Sequence, residues 1–287
     1  MSECPTRDLR ESRSRAPAMP RPLEDHRRGQ ELVAERVFRP LARPLVALLA
    51  SLRVSPVALV LANAVAGLAA AAAIATGELL PGALLLQVKT LLDNADGQLA
   101  RATGQISVLG RYLDTESDLV VNALLFSALA VATDLPVAAA VSFVALTLVL
   151  SAEYNADVLY RRARGETFET QPAAEREGVG ARVSARMYRV FFAPQDRVLQ
   201  WISERRLERI VDGASAAERH RAALEYHDQA TVTVLANLGL STQLAALGSC
   251  LVLGVPAAYF PLVLVAVLLL PVLQIRRERL ARLALAG

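Results

Sequence analysis

Four aspartates, Asp93, Asp96, Asp114 and Asp118, fall within 26 residues of a stretch otherwise rich in apolar side chains. They are separated by three, eighteen and four positions. A carboxylate in hydrocarbon is costly unless it is paired, hydrated or bound to a cation. Four of them together imply a site that holds positive charge. Oxygen ligands at this density suit one or two hard divalent ions, Mg2+ or Mn2+. Ions held in this way neutralise phosphate oxygens and stabilise the charge that develops in phosphoryl transfer.

Such a site needs helices to carry it, and the composition supplies them. The chain of 287 residues is 54% hydrophobic and only 5% aromatic, too apolar for an ordinary soluble protein and typical of a polytopic membrane protein with soluble extensions. The fold class expected is therefore an all-α integral membrane protein. Cys4 and Cys250 lie far apart in unlike contexts, and His26, His220 and His227 form no ligand pattern, so neither a disulfide framework nor a Cys/His metal cluster is indicated. The net charge of +3 reflects arginines gathered in particular loops, which marks membrane topology and not nucleic-acid binding. Of the 31 basic residues only Lys89 is a lysine, and it lies four residues before Asp93.

Residues 1–29, rich in Arg, Pro, Ser and Glu, read as a disordered cytosolic tail with no apolar signal region. Residues 30–53 mix short apolar runs with Arg36, Arg39, Arg43 and Arg53 and are interrupted by prolines at 40 and 44. They are expected to lie on the membrane as an interfacial amphipathic segment, the alternative being a basic linker. Six apolar spans are expected at about 55–76, 82–103, 107–133, 136–160, 230–253 and 257–275. Residues 161–227 hold thirteen arginines and form a polar, cytosolic insertion. Within it Gln195 to Val211 has the periodicity of an amphipathic helix beside Trp201, and Ser215 with Glu218 makes a capping box. The division expected is a tail over 1–29, an amphipathic segment with four catalytic spans over 30–160, the insertion over 161–227, and two spans with a basic tail over 228–287. The turns at 77–82, 134–136 and 254–256 hold no Lys or Arg, whereas the other connections and both tails hold arginine, which places both termini in the cytosol.

On a helix, Asp93, Asp96 or Gly97, Ala100 and Gly104 share one face, and Gly110, Asp114 and Asp118 share another at steps of four. Asp93 lies about 12 Å before Arg101 along its helix, and Asp118 about 12 Å past Gly110, at roughly 1.5 Å per residue. Two antiparallel helices joined by a short connection can therefore bring the acidic faces to similar depth, with Gly97 and Gly110 leaving room between them.

The run Asp93-x2-Asp96-Gly97-x2-Ala100-Arg101-x8-Gly110-x3-Asp114-x3-Asp118 resembles the signature of the CDP-alcohol phosphotransferase (CDP-alcohol phosphatidyltransferase) family, without gap or substitution. The resemblance covers residues 30–160 well and the rest by topology. It implies six spans, an amphipathic helix before the first, a homodimer in the cell (inner) membrane, and a site facing the cytosol. It also implies transfer of a phosphatidyl or other phosphoalcohol group from a CDP-linked donor, CDP-diacylglycerol foremost, to an acceptor hydroxyl, with CMP released. By the same resemblance Asp93, Asp96, Asp114 and Asp118 would hold two Mg2+ or Mn2+ ions, and Asp118 would be the catalytic base. Asp96, Gly97, Ala100, Arg101 and Gly110 would bind the CDP donor, with Gly97 making room for the cytidine. The sequence departs from relatives in having Pro56-Val57 where many have Pro-Asn, with Asn63 six residues on, and in the length of the 161–227 insertion.

The acceptor is not given by the motif. Lys89, Glu153, Asn155, Asp157 and Arg161 are the residues expected around an acceptor pocket. Lys89 is open to two readings: an ion pair with Asp93 one turn away, or a contact to the acceptor at the deep end of the site. Three alternatives to a CDP-diacylglycerol enzyme are a transferase using a soluble CDP-alcohol, a divalent-cation transporter, and a scaffold without turnover. A transporter needs acids spread along a path through the membrane, whereas these cluster toward one side. The intact aspartate set argues against a scaffold.

Overall fold

A computed structural model of the chain describes residues 29–166 and 178–286, and among these every regular element is a helix. The tail expected over residues 1–29 lies outside the described residues except for Gly29, as does the part of the insertion over 167–177.

A π-helical turn, Ala34–Phe38, leads into α1 (Arg39–Ser51). This helix continues through Pro44, contrary to the expectation that the prolines would interrupt it. Pro40 sits in the first turn, where its missing N–H is not needed, and Pro44 gives up only one internal bond. Ala42 and Val46 bury against Leu59, Ala95 and Leu99, while Leu41, Leu48 and Leu52 stay exposed. The first two long helices follow, α2 (Pro56–Ala75) and α3 (Leu79–Thr103). Ser55 caps α2 by accepting the Ala58 N–H at 3.2 Å, with Pro56 at the first helical position. Gly104 ends α3 in the left-handed region at φ 68°. Ser107 then starts α4 (Val108–Thr133) by accepting the Gly110 N–H at 2.9 Å. A left-handed Asp134 and Pro136 turn the chain into α5 (Pro136–Ala163).

The second half is less regular than expected. The amphipathic helix expected over 195–211 is the end of a longer α6 (Gly178–Ile210), which packs on α4, α5 and α10 and leaves Val198 and Trp201 exposed. The Ser215–Glu218 capping box opens α7 (Ala216–Tyr226). The single span expected at 230–253 is instead α8 (Gln229–Ala236) and α9 (Leu240–Val252), broken at 237–239. The break lies against α5: a Cβ on Gly239 would stand 2.8 Å from the local Ala236 carbonyl and 3.0 Å from the Glu153 carboxylate. After a 3-10 turn at Pro256–Ala258, α10 (Tyr259–Ala286) continues well past residue 275. Its far end is held by a small core of Val211, Ala222, Tyr226 and Ala281. Arg276 bonds Asp228 at 2.9 Å and Arg277 donates to the Tyr226 carbonyl at 2.9 Å, so these arginines brace the structure besides marking a polar end.

Among the described residues, five helical stretches are long and apolar enough to cross a membrane: Pro56–Ala75, Leu113–Thr133, Pro136–Ala163, Ala216–Val252 and Pro256–Ala286. Their outer faces expose Leu61, Val65, Val137, Val144, Leu262 and Leu268, as lipid contact requires. The protein is a membrane protein. The expected six spans also counted α3, whose 25 residues suffice in length. Lys89, Asp93 and Asp96 place at least three charges in every eighteen-residue window of it, and it falls outside the apolar set. Inside the bundle, α2, α3, α4, α5, α9 and α10 share one core that includes Ile74, Leu86, Leu125, Leu129, Leu146, Leu247 and Tyr259. α2 packs against both α3 and α4. Gly67 makes the α2–α4 approach possible, since a Cβ there would meet Val121 Cγ1 at 2.4 Å.

Candidate active site

The acidic residues hang from α3 and α4, and α2 closes one side. Asp93, Asp114 and Asp118 each present a carboxylate oxygen within 4.8 Å of the others. Asp96 is only 8% exposed, and neither its Oδ2 nor Asp114 Oδ1 has a hydrogen-bond partner, although both atoms are buried. Orphaned carboxylate oxygens in a half-buried acidic cluster are what a cation would satisfy. Asp93, Asp114 and Asp118 therefore fit a divalent ion by number and donor type, and Asp96 with its orphaned oxygen lies beside them.

Two protein donors already reach into the cluster. Lys89 is fully buried, and its Nζ donates to Asp118 Oδ1 at 2.7 Å while lying 3.6 Å from Asp93 Oδ1. Of its two expected roles, the ion pair is realised, and its shorter arm goes to α4 and not to Asp93 on its own helix. Asn63, also fully buried, donates from Nδ2 to Asp93 Oδ1 at 3.0 Å. The sequence reading noted Asn63 without assigning it a partner. The signal was available, since a lone amide on a 20-residue apolar helix needs a buried hydrogen bond.

Beside the cluster opens a cavity of about 390 Å³ between the start of α2 and the facing ends of α3 and α4. Asp96, Gly97, Ala100, Arg101 and Gly110, the five residues expected around a CDP group, all line it, together with Asp114, Pro56, Val60 and Ser107. Its volume lies in the range of small-ligand sites. A Cβ on Gly97 would meet the Arg101 guanidinium at 3.4 Å and fill space between them.

The residues expected around an acceptor are not gathered in one pocket. Lys89 sits among the aspartates. Glu153 packs on Gly239 at the α8–α9 break. Asp157 pairs with Arg161 at 2.9 Å. Asn155 is turned to α6, where it donates to Asp196 Oδ1 at 2.8 Å and accepts from Gln200. It lines a separate cavity of about 220 Å³ with Ser203, Arg206, Gln274 and Arg277. Sequence reasoning also missed Glu31. Its Oε1 accepts the Thr242 N–H at 2.5 Å at the start of α9, while Asn237 holds the neighbouring backbone at Gln30 and Leu32 with two bonds of 2.9 Å. Contacts spanning more than 200 residues leave no local trace.

Among the described residues, a helical membrane bundle sets a half-buried carboxylate cluster beside a ligand-sized cavity. Residues 53–171 are similar to the CDP-alcohol phosphatidyltransferase family. The matched segment contains the whole aspartate set and every residue of the larger cavity. Among curated proteins, the chain is similar to a "Bifunctional IPC transferase and DIPP synthase" of Rubrobacter xylanophilus, 33% identical over 114 residues. That match covers 40% of this chain and 25% of the relative, so the chain spans about a quarter of the relative it matches. No solved structure matches the chain.

Proposed function

We propose that the protein is a membrane phosphotransferase that moves a phosphatidyl or related phosphoalcohol group from a CDP-linked donor, CDP-diacylglycerol foremost, to an acceptor hydroxyl. The observation that carries this reading is the adjacency of the aspartate cluster to a cavity lined by all five expected donor-binding residues. The family match over the same segment supports it. The site faces the cytosol on the evidence of arginine placement, and a homodimer follows from the family resemblance.

Asp93, Asp114 and Asp118 would hold Mg2+ or Mn2+, with Asp96 completing the donor set toward the cavity. A divalent ion supplies neutralisation of the diphosphate oxygens and of the charge on the departing CMP. Arg101 lies at the cavity wall and would bind the nucleotide phosphate, and Gly97 leaves space for the base and sugar. The acceptor oxygen forms a bond to the phosphorus that bears the alcohol, the phosphoanhydride bond breaks, and CMP leaves with the bridging oxygen. Asp118 takes the acceptor proton. Its Oδ1 is engaged by Lys89, which holds the carboxylate in place while the other oxygen remains for the site.

The test is product identification. Purified protein is incubated with Mg2+ and either CDP-diacylglycerol or CDP-choline against serine, inositol phosphate, glycerol phosphate and phosphatidylglycerol, and products are identified by mass. A phosphatidyl product from one acceptor, absent in Asp118→Asn, is the expected result. Transfer at the wild-type rate in Asp118→Asn would remove Asp118 as the base. A product formed only from CDP-choline would move the donor to the soluble class.

A further inference from the structure

The cavity of about 220 Å³ between α5, α6, α8 and α10 belongs to no step of the proposed transfer. Its lining is part polar, with Arg277, Ser203 and Gln274, and part apolar, with Leu199, Leu270 and Leu273. We propose that this cavity binds an anionic phospholipid, with the Arg277 guanidinium on the lipid phosphate and the start of an acyl chain on the leucines.

Three observations carry it. First, Arg277 is a fixed cation that forms no ion pair with a carboxylate among the described residues. Its Nε donates to the Tyr226 carbonyl at 2.9 Å, and its Nη2 donates to Ser203 Oγ at 3.2 Å and meets His227 Nδ1 at 2.9 Å. Its Nη1 has only Gln274 Oε1, at 3.5 Å. Asp228 and Glu278, the carboxylates that bear on it, are paired with Arg276 and Arg206. A guanidinium held through Nε and Nη2 keeps Nη1 for an incoming anion, and phosphate matches its donor geometry. Second, the cavity lies where the apolar run of α10 gives way to Arg276, Arg279 and Arg282 and that of α5 to Arg161 and Arg162. Basic pockets between membrane helices at this level hold the headgroups of anionic lipids. Third, a free phosphate has no use for a leucine wall, whereas an acyl chain does. The α6 wall also carries exposed Val198 and Trp201 beside the lining residues, as a helix at a lipid interface would. This helix lies beyond residue 171, outside the segment similar to the family, so the cavity is a feature of this chain's own insertion.

The test reads binding and not turnover, so its outcome is independent of the transfer reaction. The purified chain in detergent with EDTA is titrated with short-chain phosphatidic acid, short-chain phosphatidylcholine or inorganic phosphate, and bound molecules per chain are counted by native mass spectrometry. Phosphatidic acid carries no free alcohol and so is not an acceptor. It is expected to bind saturably, and more tightly than either of the other two. In Arg277→Gln its affinity is expected to fall about 10–100-fold, the loss of a hydrogen bond to a charged group. Ala152→Phe fills the cavity while leaving the guanidinium in place, and it should weaken binding as well. Equal affinity for phosphatidic acid and phosphatidylcholine would overturn the proposal, as would inorganic phosphate bound as tightly as the lipid. Phosphatidic acid affinity unchanged in folded Arg277→Gln or in Ala152→Phe would place the lipid elsewhere and also overturn it. Should Arg277→Gln fail to fold, Ala152→Phe decides.

Discussion

Replacing Gly67 by alanine adds one carbon at the tightest approach between α2 and α4. The new Cβ would stand 2.4 Å from Val121 Cγ1, 3.1 Å from Cγ2 and 3.4 Å from Cβ. Val121 is 2% exposed, so its isopropyl group has no free space into which to turn. Overpacking of this kind costs about 1–3 kcal/mol, and one to two kcal/mol is a roughly 5–30-fold change in the folding equilibrium. The strain also reaches the site, because Gly67 is one turn from Asn63 on α2 and Val121 is one turn from Asp118 on α4. Gly67→Ala should therefore lower both the unfolding midpoint in an SDS titration followed by circular dichroism and the transfer rate. Val121→Ala removes the opposing methyls. The double variant should be more stable than the sum of the single effects by about 1–2 kcal/mol, the coupling expected of residues in contact. Stability of Gly67→Ala equal to wild type, or strict additivity in the double variant, would refute the close approach of α2 and α4 and with it the positioning of Asn63 against Asp93.

Asn63→Leu keeps the branched side-chain skeleton but removes the donor to Asp93, and Mn2+ affinity measured by EPR titration should fall about 10–100-fold, as for other groups that orient metal ligands. Asn237→Ala removes the hydrogen bonds to Gln30 and Leu32, and hydrogen exchange over residues 29–38 should accelerate while α2 to α4 stay protected. Burial holds the Glu31 carboxyl above its usual range, against the opposing hydrogen bonds from Thr242. A carboxyl with a raised folded pKa binds more protons in the native state, so the stability of this docked segment should decline as pH rises from the unfolded value through the raised one. The same exchange measurement across that window should show the decline, and Glu31→Gln should flatten it.

The placement of the acidic and cavity-lining residues was largely legible in the sequence because they lie in a contiguous stretch. The spacing of Asp93, Asp96, Gly97, Ala100, Arg101, Gly110, Asp114 and Asp118 depends only on helical periodicity and one short turn, and the donor-side residues indeed line one cavity. Caps at Ser55 and Ser215 and the turns after Gly104 and at Asp134 were local for the same reason. What periodicity could not supply was azimuth and tilt between helices. Lys89 is four residues from Asp93, yet its closer partner is Asp118 on α4. The break at 237–239 lies against Glu153 on α5, and Glu31 is anchored at the start of α9, contacts between segments distant in sequence. Asn155 and Glu153 are two positions apart on α5 and so face different neighbours, α6 and the 237–239 break.

The most direct test of the central claim is release of CMP from CDP-diacylglycerol by the purified protein in the presence of an accepted alcohol. Release should require Mg2+ or Mn2+, stop on chelation, return on adding the metal back, and be lost in Asp93→Asn, Asp96→Asn, Asp114→Asn and Asp118→Asn. CMP release that persists after chelation and in all four variants, or metal flux across vesicles without CMP release from any CDP-linked donor, would contradict it.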